Sequence, residues 1–331
     1  MVMMFCSWCL FQPSFVVALG NVGSFPSPSQ TFQTRSGLPV CRYALGGAAR
    51  STQPQSLPSR YVQLLQDAES PSVGAPCFFF YNPHRYPAFM HGIQELCEKK
   101  HQRENIFVMS GGTDRSPSAM EQRLEDALSK CGGDYLDIFL LEYVCSYELQ
   151  ESEPTSFTVK FDSELDQAIR QAQRWKQQGL VRYVGASTHS HRVGAALASY
   201  DTGDDGGLDA LMLRYSMSHR YAAETISFPA CREQDTAVLA FCTTRWNHLL
   251  DGHMEWDRES PTSGDCLTFA MASEPASVDI ILHSARDEQE LDDTLSGFRE
   301  TMLEDELEQW KMFGDLNWNG DGFDEYPEES S

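Results

Sequence analysis

The sequence predicts a (β/α)8 barrel, and three observations support that fold class. The chain has 331 residues, 41% of them hydrophobic, enough for one large core. An α/β barrel uses about 250 residues as a single domain. From Arg42 onward, eight β-rich apolar runs alternate with amphipathic helical stretches, the pattern of parallel α/β folds. No Gly-x-Gly-x-x-Gly fingerprint follows the first run, so a closed barrel fits better than an open nucleotide-binding sheet.

The first segment reads as an address. No acidic residue occurs before Asp67, although the chain is strongly acidic. Val2 to Gly20 is apolar, interrupted only by Ser, Gln and Pro, with small residues at Gly23 and Ser24. Phe25-Pro26-Ser27-Pro28-Ser29, Thr31, Thr34 and Arg35 follow, hydroxylated and weakly basic. An apolar core with a small-residue cut site suits a secretory signal, and the acid-free tail suits a transit peptide. Residues 1–40 are therefore expected to be a two-part targeting leader of the kind that leads through secretion into a plastid. A secreted or endomembrane protein is the alternative. Pro13 and the polar interruptions argue against a spanning anchor, so the mature form is expected without one.

The expected strands are Tyr43–Leu45, Pro76–Tyr81, Ile106–Ser110, Leu136–Glu142, Val181–Ser187, Ala210–Tyr215, Ala237–Phe241 and Val278–His283. Three helices have clear signals. Ser118–Lys130 places Met120, Leu124, Ala127 and Leu128 on one face and ends at Cys131-Gly132. Asp162–Gln178 opens on Asp162 or Ser163 as N-cap and closes at Gly179. Asp287–Leu295 begins with acidic side chains near the positive helix end. The barrel is expected over residues 41–313, with an acidic disordered tail over 314–331.

The formal net charge of −23 repels phosphate backbones and anionic membranes, which excludes nucleic-acid binding as a reading. A monomer acting on a small molecule is expected. The ten cysteines lack metal-ligand spacing and read as reduced, packed thiols rather than disulfides. Cys6 and Cys9 form a C-x-x-C inside the leader. The tail run from Asp315 to Gly322 looks like half of a calcium loop, but its twelfth position is Tyr326, or Glu328 after Pro327 in the shifted register. An acidic tail is the better reading, and no metal is expected.

Several segments, in order, resemble aldo-keto reductases. They are Asp134–Leu141, Gly179–Thr188, Leu208–Arg220 with Arg214-Tyr215 and His219-Arg220, Thr236–Leu250 with Thr244-Arg245-Trp246, and Val278–Leu295 with Ala285-Arg286. The similarity covers about Arg42 to Phe313, and the sixth-strand segment is similar to a divergent branch of the family. The resemblance implies hydride transfer from NADPH to a carbonyl. In that chemistry a Tyr donates a proton, a Lys supported by an Asp lowers its pKa, and a His orients the substrate. Those four positions fall on His84 for Tyr, Gly111 for Lys, Phe79 for Asp and Glu142 for His, so the catalytic tetrad is not retained.

Candidate acids remain. His84 ordinarily titrates near neutrality, Tyr86 lies beside the expected Tyr position, and a protonated Glu replaces the His in the family's steroid double-bond reductases, as Glu142 does here. The competing reading makes Phe78, Phe79, Phe80 and Tyr81 simple barrel filling. For the cofactor, NADP(H) or NAD(H), the resemblance places Ser187 and Thr188 at the nicotinamide carboxamide and Phe241 at the stacking ring. Ser284 and Arg286 fall at the adenosine phosphate, and Met212 replaces an amide. Asp287, Glu288 and Glu290 crowd that phosphate with negative charge. Two functions are therefore open: an NAD(P)H-linked oxidoreductase with a rebuilt acid site, or a catalytically inactive barrel that binds a nucleotide or a partner protein.

Overall fold

The computed structural model describes residues 25–47, 53–68, 72–98, 100–131, 133–150, 160–200, 206–272 and 278–318. Eight strands form the barrel: β1 (Val40–Gly46), β2 (Ala75–Phe80), β3 (Phe107–Gly112), β4 (Leu136–Leu141), β5 (Val181–Thr188), β6 (Ala210–Arg214), β7 (Ala237–Phe241) and β8 (Val278–His283). All pairings are parallel and follow chain order, and β8 closes on β1 through Tyr43↔Ile281, Ala44↔Leu282 and Leu45↔His283. Every predicted run is a strand, the first being longer than expected.

Nine labelled helices wrap the described barrel: α1 (Leu57–Asp67), α2 (Pro87–Cys97), α3 (Pro117–Cys131), α4 (Ser163–Gln177), α5 (His191–Ala198), α6 (Phe228–Glu233), α7 (Ser263–Ala272), α8 (Glu288–Gly297) and α9 (Glu304–Leu316). The predicted caps of α4 and α8 form. Asp162 accepts the Leu165 N–H at 2.8 Å, and Gly179 leaves α4 at φ 76°. Asp287 accepts the Glu290 N–H at 2.9 Å.

Strand alternation sorts the side chains into two cores. Ala44, Cys77, Phe79, Met109, Ile138, Leu140 and Leu239 fill the barrel axis. Phe78, Phe80, Phe139 and Leu141 pack outward under the helices. Of the Phe78-Phe79-Phe80 run, only Phe79 faces the axis, so the aromatic run fills two layers rather than one.

Two domain boundaries move. Phe32 is fully buried in the axial core, its ring 5.5 Å from Phe107 and 5.1 Å from Tyr183. The Thr34 N–H bonds the Leu38 carbonyl at 2.8 Å in the turn that holds it there. This segment, assigned to the leader from its composition, closes the N-terminal end of the barrel. A single inserted ring has no periodicity, so the sequence pattern does not distinguish it from a transit peptide. Residues 1–24, with Cys6 and Cys9, lie outside the described residues. At the other end α9 continues past 313. Gly314 lies where any side chain would overlap the Met217 carbonyl, and Asp315 pairs with Arg220 at 2.9 Å. The barrel unit therefore extends through at least Trp318, and Asp315, the first residue of the calcium-like run, is already committed. Residues 319–322 of that run lie outside the described residues.

Among the described residues every cysteine is a free thiol, no group of three metal-ligating side chains gathers, and no helix is long and apolar enough to cross a membrane.

Candidate active site

The C-terminal ends of barrel strands are where such a fold positions its working groups. One side of this mouth is built from β2, β3 and β4. Phe79, at the Asp position, is buried on the axis. Gly111, at the Lys position, sits where a Cβ would overlap the carbonyl oxygen of Leu140 on the paired strand. Backbone packing thus leaves no room for a side chain at this position.

His84 is not brought into the site. Its side chain is 64% exposed and its Nε2 lies 3.4 Å from Asp126 on α3, which turns it to the outer rim. Tyr86 is brought in. Its ring is buried and stacked so closely on Gly47 that a Cβ there would lie 2.7 Å from the ring. Burial raises the pKa of its phenol, with Arg85 pulling the other way, so it remains a neutral hydroxyl.

Glu142 follows β4 directly, its N–H continuing the ladder to the Gly112 carbonyl at 2.9 Å. Its side chain is 7% exposed and its Oε1 has no hydrogen-bond partner among the described residues. Burial pushes this carboxyl well above the usual carboxylate range, over the opposing pull of Arg123 and Arg115. A buried acid without a partner favours its neutral form, and leaving it unmatched costs about 1–3 kcal/mol. Such a cost is a sign of a ligand site more than of a stable core.

Two arginines shape this corner. Arg115 holds the backbone, donating to the carbonyls of Glu142 at 2.9 Å and Thr113 at 3.0 Å, and pairing with Glu148 at 2.9 Å. Arg123 lies across Gly112, its Nε 3.1 Å from where a Cβ would stand. That Nε is buried without a partner among the described residues. Sequence reasoning missed both arginines. Neither occupies a position that the family resemblance marks, and only their convergence on Glu142 makes them part of the site.

The other side of the mouth is a cleft of about 710 Å³ between the ends of β1, β2, β7 and β8. Phe241, Ser284 and Arg286 all line it, together with Gly47, Phe79, Thr243, Thr244, Trp246 and Asn247. The size is that of a small-molecule or cofactor pocket. Its wall is strained. Cys242, Arg245, Trp246 and Asn247 have φ of 58°, 51°, 54° and 71°, and Tyr143 beside Glu142 has 57°. Each residue held left-handed costs about 1–2 kcal/mol, and such strain clusters at ligand clamps.

Ser187 and Thr188 do not line this cleft; they tie the loop after β4 to β5. Ser187 Oγ accepts the Tyr143 N–H at 2.9 Å, and Thr188 Oγ1 donates to the Val144 carbonyl at 2.8 Å. His189, another residue missed by sequence reasoning, sits edge-on to Phe241 at 5.0 Å and to Tyr143 at 5.2 Å. Of the sixth-strand segment, Arg214 ends β6 and is buried, while Tyr215 bonds Glu224 at 2.8 Å and Arg220 binds α9 through Asp315. His219 turns to Ser216 at 3.4 Å. Tyr215 and Arg220 thus brace the rim.

Residues 90–252 match the model of the Aldo/keto reductase family. Solved structures of that family share the fold. An aldo-keto reductase of Bacillus halodurans in its holo form superposes with a TM-score of 0.61 at 16% identity, covering 88% of this chain and 95% of that one. An aldose reductase of Giardia lamblia gives 0.59 at 13% identity, covering 85% and 94%. A search of curated proteins finds no match. The closed eight-stranded barrel is the aldo-keto reductase (β/α)8 fold.

Proposed function

We propose that this aldo-keto reductase barrel is an NAD(P)H-linked oxidoreductase that reduces a carbonyl or related small molecule, with Glu142 as its proton donor. The buried, partnerless carboxyl of Glu142 at the end of β4 is the observation on which this rests. A nicotinamide dinucleotide fits the cleft in its chemistry. Phe241 offers a ring face, and Thr243, Thr244, Asn247 and Ser284 offer polar groups along the wall. Bound there, the cofactor would supply the hydride. Glu142 holds the proton that the substrate oxygen takes as it gains charge, a role needing a neutral acid at working pH. The positive charge of Arg123 and Arg115 nearby stabilises the carboxylate left behind. Tyr86 and Phe79 wall the site against water.

The test is reduction of a carbonyl panel by wild type and Glu142→Gln, followed by cofactor oxidation across pH. Wild-type activity should fall as pH rises through the raised pKa of Glu142. The Gln variant should lose about 10²–10⁴-fold in rate and the pH dependence with it. Unchanged activity in Glu142→Gln removes it from the mechanism.

A second reading, a barrel that binds a nucleotide without catalysis, is favoured by Gly111, where no side chain fits. Cofactor binding with no turnover on any carbonyl would select it. The targeting leader is also a proposal. Because Phe32 is built into the barrel floor, a fusion of residues 1–24 to a fluorescent protein is the right probe, and cytosolic fluorescence would sink the plastid reading.

A further inference from the structure

The strained wall of the cleft supports an inference that rests on the dinucleotide reading above. Arg245, Trp246 and Asn247 are left-handed in succession. Short bonds close the turns around them: the Arg245 N–H to the Cys242 carbonyl at 2.8 Å, the His248 N–H to that of Arg245 at 3.1 Å, and the Leu250 N–H to that of Asn247 at 3.0 Å. Strain of this kind persists only where contacts from outside over-determine the backbone. Trp246 and Asn247 are exposed, whereas Arg245 is partly buried. Its Nη1 donates to the carbonyl of Asn317, the C-cap of α9. A helix end suits that contact, because its last carbonyls lack intrahelical partners and carry partial negative charge.

The surroundings reinforce it. The loop that Arg245 opens runs back along α9. Its Trp256 ring lies 5.2 Å from that of Phe313 and 6.2 Å from that of Trp310, and Arg258 Nη1 donates to Gln309 at 2.6 Å. The helix end is itself a firm anchor, because the loop after β6 grips it from the other side. Arg220 and Tyr221 each bond Asp315 at 2.9 Å, and Gly314 packs against the Met217 carbonyl. One helix thus holds both rim loops, and Arg245 is where it meets the strained wall.

We propose that Arg245 is a positioning residue: its bond to the end of α9 holds the left-handed wall in the shape that presents Thr243, Thr244 and Asn247 to the ligand. Those three line the cleft and Arg245 does not, so it acts through them. The C-terminal helix thereby becomes part of the binding apparatus without touching the ligand.

The experiment is hydrogen exchange of the full chain followed by mass spectrometry, read over residues 242–250 and 313–318, with titration by NADH and by NADPH alongside. Arg245→Ala should speed exchange about tenfold in both segments, because each end of the tether loses its partner. It should also weaken dinucleotide binding about tenfold, one order of magnitude in Kd. Arg245→Gly suits the left-handed backbone, so it should keep the melting temperature and still show both changes. Arg245→Lys keeps a donor and should restore part of the protection. Unchanged exchange at the α9 end in both the Ala and Gly variants overturns the inference, as does faster exchange with dinucleotide affinity unaltered. If wild type binds neither dinucleotide, the cofactor reading falls, while exchange still decides whether Arg245 tethers the wall.

Discussion

The two sides of the barrel mouth differ from what the family resemblance implies in different ways. On the β2–β4 side the change is in the backbone: Gly111 packs against the Leu140 carbonyl and Phe79 closes the axis. On the β7–β8 side lies a cleft of about 710 Å³ with the Phe241 ring and a strained wall. Their titratable groups are also shifted in opposite senses. Burial raises the pKa of Glu142 well above the carboxylate range, whereas it lowers that of His283 to about 4. Both favour the neutral form, which is what a mouth shielded from water imposes. The difference teaches that one side of the mouth is built as an open cleft and the other as a closed, buried corner around Glu142. A cofactor needs a shaped cleft, while a proton needs only one suitably placed donor.

The sharpest way to break this comparison is to place a lysine at Gly111. Gly111→Lys should destabilise the fold by more than about 4 kcal/mol, the range of severe backbone clashes, read as a lost or much earlier urea transition. A variant of near wild-type stability would show that the backbone at Gly111 has room for a side chain.

A smaller effect separates the two sides by pH. For His283 the folded pKa lies below the unfolded value, so its contribution is present above pH ~6.5 and lost as pH falls toward about 4. Linkage puts that loss at roughly 3 kcal/mol. Glu142 has the reverse sign, favouring the fold at low pH and losing that contribution as pH rises through its raised pKa. Urea unfolding of His283→Gln between pH 4 and 7 should show a flatter profile than wild type; an identical slope would locate the acid sensitivity elsewhere.

The smallest effect tests the strained wall. Trp246 is 61% exposed yet left-handed at φ 54°. Trp246→Gly should keep stability or raise it by up to about 1 kcal/mol, because glycine relieves the strained φ, while dinucleotide affinity falls. A clear loss of stability would make that wall structural rather than a ligand clamp.

How much was legible follows from the kind of signal. The strands were readable because each is a short apolar run bounded by turn residues, and α3, α4 and α8 because their caps lie in local sequence. Glu142, Tyr86, Phe241, Ser284 and Arg286 were reached through the family resemblance, and the fold brings all five to the mouth. His84 was not legible as a rim residue, since its direction is set by Asp126 forty-two positions away. Arg115, Arg123 and His189 carry no local mark at all. Ser187 and Thr188 were placed at the right strand end, but their hydroxyls bond the loop after β4, a partnership between segments distant in the chain.

By itself, then, the sequence determined the barrel, because short apolar runs and helix caps are local properties. Only the tertiary structure decided that Phe32 belongs to the barrel floor and that Glu142 is a buried acid without a partner. Those are facts of burial and distance, and both arise when the closed sheet brings together residues that the chain keeps far apart.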